Sequence, residues 1–162
     1  MQNILLVVGV VCLIAALALV LKPKWVAAVP AFVGLLLMHY SYYIAVPTMT
    51  FLFWGIATLI TVGLFYLSPK GEPDGHSSSN LYVGLTAIAG GMLGILLQRP
   101  AFMVLGVILG AAMGQLAYSR TPAGKWMLTP SRLFWRYFAA KCLPAIVAVS
   151  IVCIAIMGLV IE

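Results

Sequence analysis

The chain has 162 residues, 64% of them hydrophobic and only 7% charged, against the roughly 45–50% apolar and 25% charged residues of an average soluble domain. So few charges cannot solvate the surface of a 17.4 kDa globule with a mean hydropathy of +1.15, which excludes a soluble domain and leaves bilayer as the main surroundings. The formal charge of +6 does not imply nucleic acid, because basic residues between hydrophobic runs are read first as loops facing anionic headgroups.

Six hydrophobic runs are near the twenty or so residues that cross a hydrocarbon core of about 30 Å. They are Asn3 to Leu21, Trp25 to Tyr43, Thr48 to Leu67, Leu81 to Leu97, Ala101 to Tyr118 and Cys142 to Ile161. None alternates with period two, so a barrel is disfavoured, and the expectation is an all-α, polytopic bundle of about six transmembrane helices in one integral membrane domain, 1–162.

The first run has no Lys or Arg before it and no small-residue cleavage site after it, and Lys22 and Lys24 follow it; it reads as a span with an outside N-terminus rather than a signal peptide. The second run ends in His39-Tyr40-Ser41-Tyr42-Tyr43. Such amphipathic rings favour the headgroup level, either as an interfacial anchor or as the mouth of an outer vestibule. Thr48, Thr50, Thr58 and Thr61 decorate the third run beside Trp54, and their hydroxyls can bond their own helix's carbonyls without a partner. Ser68 to Asn80, with two Pro, two Gly and four Ser, reads as a loop dividing the chain into three runs plus three.

The fourth and fifth runs hold seven glycines, so they are either full spans or a re-entrant hairpin. Gly106, Gly110 and Gly114 are spaced by four, with Ala117 beyond, and a matching small stripe of Gly84, Ala87, Gly91 and Gly94 precedes them, with Gly90 beside it. Residues four apart share a helix face, and a face without side chains lets another backbone approach closely, which matters in lipid because no hydrophobic drive holds helices together there. The spacing predicts a glycine-zipper hairpin packed through Gly84, Gly91, Gly94, Gly106, Gly110 and Gly114. Contact with a second copy of the chain and a pore lined by glycine backbone are the other readings of the same stripes. Val107 is expected to face lipid.

This stretch from Gly84 to Gly114, two Gly-rich runs joined by Gln98-Arg99-Pro100 after a polar loop, resembles the domain-of-unknown-function 456 family of small bacterial membrane proteins. The resemblance extends more loosely to the apolar N-terminal hairpin and to a final run entered by a basic segment ending at Lys141. It implies zipper roles for Gly84, Gly94, Gly106, Gly110 and Gly114, about six helices in a bacterial inner membrane, and no established activity. The family places an acid directly after the last zipper glycine, where this chain has Gln115, so no ion-binding role carries over to that position.

The last connection runs from Ser119 to Lys141, and within it Thr129-Pro130 makes a good helix start. Arg132 and Arg136 share a side, so the segment is expected in the membrane interface, with Lys125, Arg132, Arg136 and Lys141 toward lipid phosphates. Pro144 predicts a kink at entry to the sixth run. With alternate loops assigned to opposite sides, eight of the nine Lys and Arg fall on the cytoplasmic side and only Arg99 outside, which predicts both termini outside the cytoplasmic membrane.

Catalytic chemistry has little to draw on. The acids are Glu72, Asp74 and Glu162 and the histidines His39 and His76, none of the acids lies inside a run, and Cys12, Cys142 and Cys153 show no metal-ligand spacing. No enzyme, metal or cofactor is expected; the expected partners are membrane lipids and a second copy of the chain, with no nucleic acid. Two function classes stay open: a small-solute transporter or channel whose polar path uses His39, Ser41 and Gln115, and a non-catalytic membrane scaffold or assembly protein packed through glycine zippers. On the topology, single cysteines at Asn80 and Lys125 should both be labelled only from the cytoplasmic side. Reaction of either with an impermeant external reagent in intact cells would refute the six-span arrangement.

Overall fold

The structure, a computed structural model, describes residues 2–21, 26–42, 44, 46–67, 77–122 and 132–161. Seven α-helices and no strand occur among them: α1 (Gln2–Leu21), α2 (Ala28–Tyr40), α3 (Thr48–Leu67), α4 (Ser77–Leu96), α5 (Pro100–Ser119), α6 (Arg132–Tyr137) and α7 (Leu143–Ile161), with a π-helical turn (Phe138–Cys142) joining the last two. Four helices are long and apolar enough to cross a membrane, over Asn3–Leu21, Thr48–Leu67, Pro100–Ser119 and Leu143–Val160; Ala28–Tyr40 and Leu81–Leu96 are shorter apolar stretches.

Two element boundaries differ from the sequence expectation. Within the run from Trp25 to Tyr43 the described helix has 13 residues, about 20 Å at 1.5 Å per residue. It ends because Tyr42 turns to a φ of 63°, a left-handed conformation that a helix cannot continue through. The loop expected to reach Asn80 stops earlier, since Ser77–Asn80 form the first turn of α4; Ser and Asn favour helix starts, where the first N–H groups have no intrahelical partner in any case.

Antiparallel pairing follows from which residues meet. Gly9 lies against Met38 and Gly34, while Phe32 lies against Gly55, and His39 meets Phe51 edge-on at 4.7 Å, so α1, α2 and α3 run alternately. The α4–α5 hairpin joins them where Val20 and Leu21 pack on Gly84. Packed against all five of these helices is α7. Of its apolar stretch 61% is buried, against 22% in α1 and 17% in α3, and Ala148, Ile151 and Ala155 are wholly enclosed. A helix that is apolar on every side belongs inside a bundle, and the last helix of this chain is the hub.

The entry to α7 is shaped by Pro144, which has no N–H and whose ring would strike the carbonyl four residues earlier in an α-helix. A π-helical turn, Phe138–Cys142, precedes it and supplies the wider spacing. At the opposite end of the bundle, the α4–α5 turn places Gln98 at a φ of 52°, followed by Arg99 in an extended conformation and Pro100 at the start of α5, as the residue before a proline and the first helical position both favour. A left-handed residue costs about 1–2 kcal/mol unless it is glycine. Gln98→Gly should therefore stabilise the detergent-solubilised protein by about 1 kcal/mol and Gln98→Val should weaken it by a similar amount, read by denaturant titration with circular dichroism; equal stability of the two variants would refute the turn.

Candidate functional site

The tightest packing among the described residues lies between α4 and α5, where main chain meets main chain. A Cβ on Gly90 would overlap the carbonyl of Gly106, and one on Gly106 would overlap the carbonyl of Gly90. The glycine hydrogens that stand in those places aim each Cα–H at the facing carbonyl oxygen, a contact worth about 0.5–1 kcal/mol. One turn further, a Cβ on Gly110 would strike the Thr86 carbonyl, and one on Gly114 would meet the Thr86 hydroxyl and lie 2.7 Å from the Tyr82 carbonyl oxygen. Gly94 closes the row against the main chain of Met103. Thr86 keeps its own hydroxyl occupied by donating to the Tyr82 carbonyl at 2.6 Å.

The face of α4 that meets α5 is thus Tyr82, Thr86, Gly90 and Gly94, at strict spacings of four. Gly84 turns to α1, where a Cβ would be 3.0 Å from Leu21 and 3.1 Å from Val20. Gly91 sits at a three-helix junction, with Cys153 and Val149 of α7 on one side and Val107 of α5 on the other. Val107, expected to face lipid, is fully buried because it fills the space that Gly91 leaves. A second glycine contact had no spacing motif to announce it: in the α1–α2 hairpin, a Cβ on Gly34 would be 3.0 Å from the Gly9 carbonyl oxygen. Lone glycines in two runs joined by a short turn were the available signal.

The three residues considered for a polar path do not come together. His39 donates from Nδ1 to the Ile44 carbonyl at 3.3 Å, and Ile44 in turn packs on Gly158 near the end of α7. Ser41, buried, donates to the Met38 carbonyl of its own helix at 2.6 Å. Gln115 is wholly enclosed and accepts from the Cys142 thiol at 3.5 Å, at the beginning of α7. The fifteen helical steps from Leu143 to Gly158 place these two groups about 22 Å apart.

Other buried hydroxyls are satisfied locally, Thr58 by the Trp54 carbonyl at 2.8 Å and Thr61 by the Thr58 carbonyl at 2.8 Å. The hydroxyls of Tyr118 and Ser150 are buried without a hydrogen-bond partner among the described residues. A side-open groove of about 460 Å³ between α1, α2 and α3 is lined by Leu19, Val26, Val29, Pro30, Val62 and Tyr66; among the described residues the Tyr66 hydroxyl is the one polar side-chain group it offers. Among the described residues no three His, Cys, Asp or Glu gather to hold a metal ion.

Of the expected headgroup residues, Arg132 and Arg136 are exposed on α6, Lys141 falls in the π-helical turn, and Lys125 and Thr129-Pro130 lie outside the described residues. Comparison with known proteins finds no family model, no curated protein and no solved structure that matches this chain.

The glycine contacts predict opposite signs for one chemical change. Gly106→Ala must push α4 and α5 apart, at a cost of about 1–3 kcal/mol for an overpacked site, while Gly63→Ala, with nothing within 4 Å of the new methyl, should gain up to about 1 kcal/mol of helix propensity. Folded fraction in mixed micelles, titrated with sodium dodecyl sulfate, separates the two; a Gly106→Ala protein as stable as the wild type would contradict the contact.

Proposed function

We propose that the chain is a six-span integral membrane protein with a non-catalytic, structural role: a dry, close-packed module that acts by presenting its outer surface to lipid and to other membrane proteins. The observation that carries this reading is the enclosure of Gln115. It is the polar side chain best placed to hydrate a path through the fifth helix, yet it is sealed against Cys142 and stands at the far end of α7 from His39. Among the described residues a solute leaving water would find no continuous set of groups to replace its hydration. The exposed residues Val7, Val11, Leu59, Leu93 and Leu109 supply the apolar exterior that such a module needs in hydrocarbon. The six-span topology, the glycine-zipper hairpin and a bacterial inner membrane with both termini outside belong to this proposal, supported by the charge asymmetry of the loops and by the glycine spacing that resembles the domain-of-unknown-function 456 family.

The second reading, a small-solute conduit, draws on one observation: the buried hydroxyls of Tyr118 and Ser150 lack protein partners among the described residues, as groups facing a hydrated cavity would. Flux decides between them. Purified protein in liposomes should leave the leakage of small neutral and anionic solutes at the level of empty vesicles, and Gln115→Leu should change neither that level nor the fold. Solute flux that Gln115→Leu abolishes would establish the conduit instead.

A further inference from the structure

The end of the bundle that holds the C-terminus of α5 and the start of α7 is where the described cations gather. Phe134 of α6 is buried and forms a small apolar cluster with the wholly enclosed Tyr118 of α5, and it stacks on Phe138 of the π-helical turn at 6.3 Å. This pins α6 to the end of α5 even though α6 has only six residues. Arg120 lies two residues beyond Tyr118, and Arg132 and Arg136 lie two residues to either side of Phe134, so one apolar contact brings three guanidinium groups to the same end; all three are exposed. Arg132 and Arg136, four apart on a helix, are spaced about 5–6 Å at Cβ. Trp135 between them is 61% exposed, an amphipathic ring suited to headgroup depth.

Among the described residues no carboxylate balances them. The described residues contain no Asp or Glu. Lys141, in the π-helical turn, belongs to this end as well, and Arg99 sits at the opposite end. A planar guanidinium binds phosphate through paired hydrogen bonds, so a headgroup phosphate matches the counter-charge that the described residues lack.

We infer that this end is a binding surface for anionic phospholipid, with Arg132 and Arg136 holding a headgroup phosphate, Arg120 supporting it and Trp135 seated beside the glycerol region. The inference rests on the membrane reading above. It goes beyond general surface attraction because Phe134 fixes where two of the cations stand.

The test uses the full chain reconstituted in phosphatidylcholine vesicles containing brominated phosphatidylglycerol or brominated phosphatidylcholine, with tryptophan quenching giving the relative affinity. Each cation near an anionic surface contributes about fivefold, so Arg132 and Arg136 together should give the wild type a preference for phosphatidylglycerol of about 25-fold. Arg132→Gln/Arg136→Gln should fall toward parity, Arg132→Lys/Arg136→Lys should keep much of the preference, and Arg99→Gln should keep all of it. Inorganic phosphate should compete no better than chloride at equal ionic strength. Parity in the wild type, an unchanged preference in the double glutamine variant, or selective displacement by inorganic phosphate would overturn the inference, the last by pointing to a free-phosphate site. Because the wild-type comparison needs no variant, poor folding of the double variant leaves the test intact. Failure of the wild type to insert into vesicles of either composition would instead overturn the membrane reading itself.

Discussion

Between α4 and α5 there is no layer of side chains; the carbonyl of Gly106 occupies the place of a Cβ on Gly90, and the carbonyl of Gly90 occupies the place of one on Gly106. In water such a contact would be a minor element beside the burial of apolar surface, but helices already surrounded by hydrocarbon gain little from hiding leucines from one another. Close approach is what remains, since dispersion and Cα–H···O contacts grow only when backbones come within reach. With α4 and α5 locked, their joint surface offers α7 a groove at Gly91, where Cys153 and Val149 enter, and α7 in turn supplies the wall on which α1, α2 and α3 pack.

The same packing argues against an internal route. Small residues bring helices together and leave little volume between them, and the hydroxyls in the interior mostly turn back to carbonyls of their own helices, as Ser41, Thr58 and Thr61 do. His39 is used to hold the irregular segment after α2 through the Ile44 carbonyl. Ile44 and Val46 are buried there, which is how non-helical backbone is accommodated beside a bilayer. Each polar side chain once considered for transport has a local structural task.

Much of this was legible from residues alone, and the limits of that legibility are physical. Helix type and the extents of α1, α3, α5 and α7 follow from apolar runs bounded by loops, to within a residue or two. The α4–α5 hairpin follows from Gly106, Gly110 and Gly114. Which glycines of α4 face them did not: the stripe through Gly84 and Gly91 and the one through Thr86 and Gly90 differ by one position, about 100° of rotation, and choosing between them needs the positions of α1 and α7, which are set by contacts far away in sequence. Val107 was misplaced for the same reason. The central role of α7 shows in its sequence only as an absence, a helix with no polar side, and the shortness of α2 depends on one left-handed residue, Tyr42, that hydrophobicity does not mark.

The register of α4 on α5 is the claim on which the rest hangs, and solid-state NMR of the protein in bilayers, with glycine labelled at Cα and carbonyl carbon, measures it directly. The account predicts correlations joining Gly90 to both Gly106 and Gly110 and none joining Gly84 to Gly114. Correlations from Gly91 to Gly106 with Gly90 silent would mean that α4 is rotated by one residue, and the packing described around α7 would be wrong.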